Sequence, residues 1–166
     1  MGLRREKYSK CLSGVIIKIM KIRFSFGWTK EPKASRKSFK SPEAYALASD
    51  YAVRIGHFMP CEMGSYLAKE RSCLWVCERE KGSRTLSSEA LARELQKVMN
   101  SGVQELQVVI GGPDGFTAQD LARMAPVLSW SFGPMTLPHE LAAVVATEQV
   151  YRTLTILHGQ PYHSGH

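Results

Sequence analysis

Leu106–Ile110 (LQVVI) is a near-continuous apolar run that ends on Gly111-Gly112-Pro113-Asp114-Gly115. A strand without a solvent-facing polar alternation has both faces covered, as in a parallel sheet flanked by helices. The neighbouring segments agree. Cys73–Cys77 (CLWVC) and Leu128–Phe132 (LSWSF) read as two further short strands. Between the first two of these three strands, Ser87 or Ser88 caps a helix that places Leu91, Leu95, Val98 and Met99 on one face before Gly102 closes it. Thr117-Ala118-Gln119-Asp120 resembles a capping box with Asp in place of Glu and opens a short helix to Ala125. A long helix runs from about His139 to Leu157. This alternation predicts an α/β fold, a mostly parallel sheet covered by helices.

The N-terminal part fits the same plan. Lys18–Phe26 alternates basic and apolar residues from Lys21 onward, the period of a half-buried strand. Ser41-Pro42-Glu43 combines a cap, a first-turn proline and an acid at the positive helix end. Ala44, Leu47, Ala48, Tyr51 and Ile55 then recur at helical spacing, and Gly56 can close the helix. From 57 to 72 the pattern is weak, and a short strand is expected near Tyr66-Leu67.

The 166 residues are long enough to bury a core of their own, and 44% hydrophobic with 22% charged residues excludes a disordered, collagen-like or coiled-coil chain. No run approaches the roughly 20 apolar residues of a membrane-spanning helix. Gly14-Val15-Ile16-Ile17 meets Lys18 at once and is too short for the core of a signal peptide, so a cytoplasmic protein is expected. The net charge of +7 is concentrated at one end: residues 1–40 hold 12 Lys and Arg against Glu6 and Glu31, while the rest is slightly acidic. That end suits a polyanion, or is a solvated tail. Cys73 and Cys77 lie ~13 Å apart along an extended strand, too far to bridge. There is no C-x-x-C and no zinc-finger spacing, so reduced thiols and no metal are expected.

Parallel α/β sheets bind ligands beyond the carboxyl ends of their strands. Three loops fall there: Glu78–Thr85, Gly111–Gly115 and Gly133–Pro138 (GPMTLP). The Gly-Gly-Pro loop is neither G-x-G-x-x-G nor a P-loop, and Pro113 removes an amide that a phosphate cradle would use. It fits a close backbone approach to a ligand, or a structural turn. The Gly133–Pro138 loop exposes main chain suited to a flat heterocycle, or is a rigid connector. His139 at a helix start fits a general base or a local hydrogen bonder. Glu148 and Arg152 are one turn apart beside Tyr151.

Taken in order, GGPDG after LQVVI, WSFGPMTLPHE and EQVYRTLTILHGQPYH closely resemble the ribosomal large subunit methyltransferase H family of SPOUT-class enzymes. The resemblance runs from about Met20 to His163 and is dense from Leu106 onward. It implies a C-terminal trefoil knot within about 73–160. It implies transfer of a methyl group from S-adenosylmethionine to N3 of a pseudouridine in large-subunit ribosomal RNA, free or in the assembled ribosome. It also implies a homodimer, which the apolar last helix can supply. Residues 1–19 become a basic extension ahead of a single domain from 20 to 166, or upstream sequence read from the wrong start.

The resemblance carries over residue by residue. Gly112 passes close to the cofactor, and Gly133, Pro134, Met135, Thr136, Leu137 and Pro138 wrap its adenine and methionine parts. Cys77 and Glu78 stand where the family usually has Leu-Asp, and the loop toward Gly82 and Arg84 carries an extra residue. His139, Glu148, Tyr151, Arg152, Tyr162 and His163 match family positions. The Pro-Tyr-His tail belongs to the RNA-facing side, often completed by the second subunit. His163 or His139 is the candidate base, with Tyr162 and Arg152 beside it. Ala143 replaces a usual arginine, which removes an expected phosphate or interface contact. Two rivals remain open: a SPOUT enzyme for another RNA base, and a non-catalytic RNA-binding or ribosome-assembly protein of the same fold.

Overall fold

A computed structural model describes residues 20–68, 72–79 and 82–163, with the backbone alone for His163. The first element is strand β1 (Lys21–Phe26), followed by a 3-10 turn at Arg36–Ser38 and helix α1 (Pro42–Ile55). Strands β2 (Cys61–Gly64), β3 (Ser72–Cys77) and β4 (Arg84–Thr85) precede α2 (Ser88–Asn100). Strand β5 (Glu105–Ile110), α3 (Ala118–Met124), β6 (Leu128–Ser131) and α4 (His139–Leu157) complete the order, with a last 3-10 turn at Pro161–His163. All strand pairs are parallel, in the order β2-β1-β5-β3-β6-β4.

The caps read from the sequence are in place. Ser41 and Ser87 accept from the backbone N–H of Ala44 and Ala90, and Thr117 and Asp120 form a reciprocal capping box. All six residues of β5 are buried at the centre of the sheet. Leu106, Val108 and Ile110 join the large core shared with α1, α2 and α4. Val109, Leu74 and Val76 face the other way, under Tyr66, Phe116, Leu121 and Met124. Helices therefore cover both faces, which leaves the carboxyl edge of the sheet as the place for a site.

Two expectations need correction. β1 is not half-buried: every residue after Lys21 is buried, because β1 lies between β2 and β5 and both of its faces are covered. Its polar residues are satisfied internally. Arg23 donates to the carbonyls of Pro32 and Ser65 and to Glu62. Ser25 Oγ donates to Gln107 Oε1 over 3.0 Å, and Gln107 Nε2 donates to the Leu67 carbonyl over 2.6 Å. The second correction concerns Tyr66-Leu67, which is not a strand; the strand lies at Cys61–Gly64. Cys61, Cys73 and Cys77 are free thiols. Among the described residues no helix is long and apolar enough to cross a membrane.

Candidate active site

The carboxyl ends of β3, β5 and β6 open into a cavity of about 660 Å3, within the usual range for small-molecule sites. Cys77, Glu78 and Arg79 form one wall, Ile110–Phe116 a second, and Ser131, Phe132 and Gly133 with Met135–His139 and Ala142 a third. The three loops singled out in the sequence thus contribute to one cavity. Gly133, Met135, Thr136, Leu137 and Pro138 line the cavity as the chain runs into α4, whereas Pro134 of the same loop does not line it; Gly133 has φ +109°, a conformation that suits glycine. Arg79 Nη1 donates to the Pro134 carbonyl over 3.0 Å and to Thr136 Oγ1 over 2.5 Å, pinning that loop from the opposite wall.

Chemistry in the cavity is sparse and specific. Burial, then the neighbouring Glu78 carboxylate, pushes the Cys77 thiol well above its usual range. Cys77 is therefore an uncharged, unreactive wall at neutral pH. Oε2 of Glu78 is buried and finds no hydrogen-bond partner among the described residues. The Glu78 N–H is tied to the Trp130 carbonyl at 3.0 Å, so the residue is fixed while this oxygen remains an open acceptor. His139 lies at the first turn of α4 with its ring packed edge-on against Trp28, centroids 4.6 Å apart. Among the described residues no group of three or more His, Cys, Asp or Glu is placed to hold a metal ion.

A second polar cluster sits further along α4. Arg152 donates to Glu148 Oε1 from Nε at 3.0 Å and Nη2 at 2.6 Å, and the Tyr162 hydroxyl donates to the same oxygen at 3.1 Å. The Arg152 guanidinium also lies 4.9 Å from the centre of the Tyr162 ring. Burial, then a hydrogen bond with Tyr51 and the charge of Glu148, holds the Tyr162 phenol well above its ordinary range. Tyr162 is therefore a proton-retaining donor, not a base. The His163 side chain lies outside the described residues.

The structure does not bring the two clusters together within one chain. With the α-helical rise, Arg152 stands roughly 20 Å along α4 from His139, beyond the reach of its side chain. The sequence could not separate them, because both sets belong to one run of motifs. Ala143 is fully buried, so the position where the resemblance expects arginine offers no open surface to an anion.

The family described as "Predicted SPOUT methyltransferase" matches residues 34–163, most of the chain. The chain belongs to the SPOUT methyltransferase family. Among its relatives, a protein of Koribacter versatilis is 36% identical over 138 residues, covering 76% of this chain and 92% of that one. One of Psychrobacter sp. is 38% identical over 132 residues, covering 80% and 76%. One of Thioalkalivibrio sulfidiphilus is 44% identical over 93 residues, covering 56% and 57%. All three are named ribosomal RNA large subunit methyltransferase H. The match spans little more than half the length of the Thioalkalivibrio relative and of one from Magnetococcus marinus, 57% and 59%.

Within this SPOUT methyltransferase three supports of the cavity carry no sequence signal. Glu140 is buried and accepts from the backbone N–H of Lys40 at 2.6 Å and Ser41 at 2.9 Å, tying the entry of α1 to the entry of α4. Trp28 carries His139 from below and donates to the Ser38 carbonyl at 2.9 Å. Arg79 holds the rim loop. Each contact joins residues distant in sequence, apart from Trp28 and Ser38, and leaves no periodic mark.

Proposed function

We propose that this chain methylates N3 of a pseudouridine in large-subunit (23S) ribosomal RNA, with S-adenosylmethionine as donor, in the cytoplasm, as a homodimer with a C-terminal knot spanning about 73–160 of a single domain over 20–166. The observation that carries this reading is the single cavity built from Cys77, the Gly112 loop and the Gly133–Pro138 loop, the positions the family resemblance assigns to the donor. The donor set fits: an apolar floor, main chain for a heterocycle, and the open Glu78 acceptor for a hydroxyl or ammonium group.

Held by the Gly112 loop and by Gly133 and Met135–Pro138, S-adenosylmethionine would supply an electrophilic sulfonium methyl to N3, with the thioether as leaving group. The loop walls hold donor and acceptor in line and exclude water, which supplies much of the rate. The N3 proton leaves to a base, for which His163 and His139 are the candidates. Arg152 and Tyr162 orient the RNA. Because they stand far from the cavity of their own chain, they serve the cavity of the partner.

The test is incubation with methyl-labelled S-adenosylmethionine and ribosomes from cells lacking the activity, followed by identification of the labelled nucleoside. Label on a pseudouridine is expected. Label on another nucleoside would overturn the substrate, and no donor binding would overturn the enzyme reading in favour of an RNA-binding protein. Glu78→Gln is expected to weaken S-adenosylhomocysteine binding about tenfold in calorimetric titration, because an amide is a poorer acceptor than a carboxylate. An affinity within about twofold of wild type would show that no donor group of the ligand meets this oxygen.

A further inference from the structure

The segment joining β1 to α1 carries Lys30, Lys33, Arg36, Lys37 and Lys40, all exposed, against the single acid Glu31. Among the described residues none of the five has a carboxylate within ion-pair distance, although Arg36 Nη1 donates to the Phe39 carbonyl. Four helix cations elsewhere are paired within one turn: Arg54 with Asp50, Lys97 with Glu94, Arg123 with Asp120 and Arg152 with Glu148. Five exposed cations gathered in one segment, with only Glu31 among them and Glu43 acting on Arg36, make a basic arc with an excess of positive charge that suits an external anion.

The segment is also ordered and placed. Its middle is stitched to the carboxyl end of β2 by Ala34 N–H to the Met63 carbonyl at 2.8 Å and Ser65 N–H to the Glu31 carbonyl at 2.9 Å. Its aromatic base is a cluster in which Trp28 stacks on Phe26 at 4.8 Å and meets Phe39 edge-on at 5.4 Å. Both of its ends touch the start of α4, Trp28 through His139 and Lys40 through Glu140. The arc therefore lies on the same sheet edge as the cavity, directly beside its His139 wall.

We propose that this β1–α1 arc is the docking platform for the phosphodiester backbone of the substrate RNA, holding it beside the cavity by charge and reading no base. The proposal rests on RNA being the substrate, and goes beyond it by locating where the strand is held. A platform ordered before binding adds little loop-ordering cost, and counterion release from the RNA supplies the affinity.

The experiment is a salt series of ribosomal RNA binding by the full chain and by Lys30→Gln/Lys33→Gln/Arg36→Gln/Lys37→Gln, with Lys97→Gln/Arg123→Gln as a control for net charge. The fourfold variant should lose at least about tenfold in affinity at about 0.1 M salt, and the slope of log affinity against log salt should become shallower by about 2–3. The control should keep the wild-type slope, and S-adenosylhomocysteine should bind all three proteins within about twofold. A fourfold variant with wild-type affinity and slope, or a control equally impaired, would overturn the platform while leaving the enzyme reading intact. A wild-type protein that binds neither S-adenosylhomocysteine nor ribosomal RNA would bring down the underlying reading instead.

Discussion

Co-expression of an Arg152→Ala subunit with a Gly133→Val subunit is expected to restore about a quarter of wild-type methyl transfer, although each variant alone is nearly inactive. The first variant removes the guanidinium that joins Glu148 and Tyr162. The second places a β-branched side chain at φ +109°, a conformation that costs about 1–3 kcal/mol and bends the rim loop out of shape. If Arg152 serves the cavity of the partner, half of a random mixture is mixed dimer, and each mixed dimer has one site free of both lesions. If Arg152 serves its own cavity, every site in the mixture carries a lesion and nothing is recovered. The proposed shared site favours the first case, since roughly 20 Å of α4 separates the residue from the cavity in its own chain. Leu47 on α1 and Leu141 on α4 are each about half exposed, 50% and 49%, and offer apolar surface for the contact such a dimer needs. Absence of recovery in a preparation shown to contain the mixed dimer would refute the shared site.

The elements that the sequence revealed are those whose signals are local. Caps at Ser41, Ser87 and Thr117 are one-turn interactions, and the apolar repeat of α2 and the unbroken run of β5 each follow from a single environment along the element. β2 escaped because it is a four-residue edge strand with Glu62 exposed in its middle, placed by Arg23 and by its pairing with β1 rather than by its own pattern. The burial of β1 escaped for the converse reason. Arg23 and Ser25 look like a solvent face until their partners at Pro32, Ser65 and Gln107 are known. The same limit applies to the site. The loops at the strand ends were legible from glycine and proline, and their convergence follows from the parallel sheet. The distance between the two polar clusters, the Trp28 support of His139 and the open oxygen of Glu78 depend on where three-dimensional neighbours lie. In β1 and β2 the same long-range contacts also hold the 31–34 segment in place.

Those anchors set the second large effect. Gly64→Ala is expected to destabilise the protein by about 2–4 kcal/mol, lowering the melting temperature by about 5–15 °C. Gly64 ends β2 and pairs with Ser25 of β1. A methyl group built there would sit 2.0 Å from the Pro32 carbonyl oxygen and 2.6 Å from Nη2 of Arg23. The first neighbour is backbone and cannot rotate away. It is held by the flanking bonds from Ser65 to Glu31 and from Ala34 to Met63, and by Arg23 itself. Relief requires the 31–34 segment to lift off the sheet edge. That movement strips one carbonyl partner from the buried Arg23, which keeps Glu62 and the Ser65 carbonyl but loses part of its hydrogen-bond shell, and a weakened buried hydrogen bond is costly. The loss is therefore larger than a methyl group in a tolerant site would cause. Thermal unfolding followed by circular dichroism measures it directly, and a melting temperature within about 2 °C of wild type would show that the segment yields freely. The same variant should also lose RNA affinity while folded at low temperature, because lifting the segment displaces Lys30 and Lys33 from the platform. An unchanged RNA affinity in a protein with a lowered melting temperature would mean that these two lysines contribute nothing to docking.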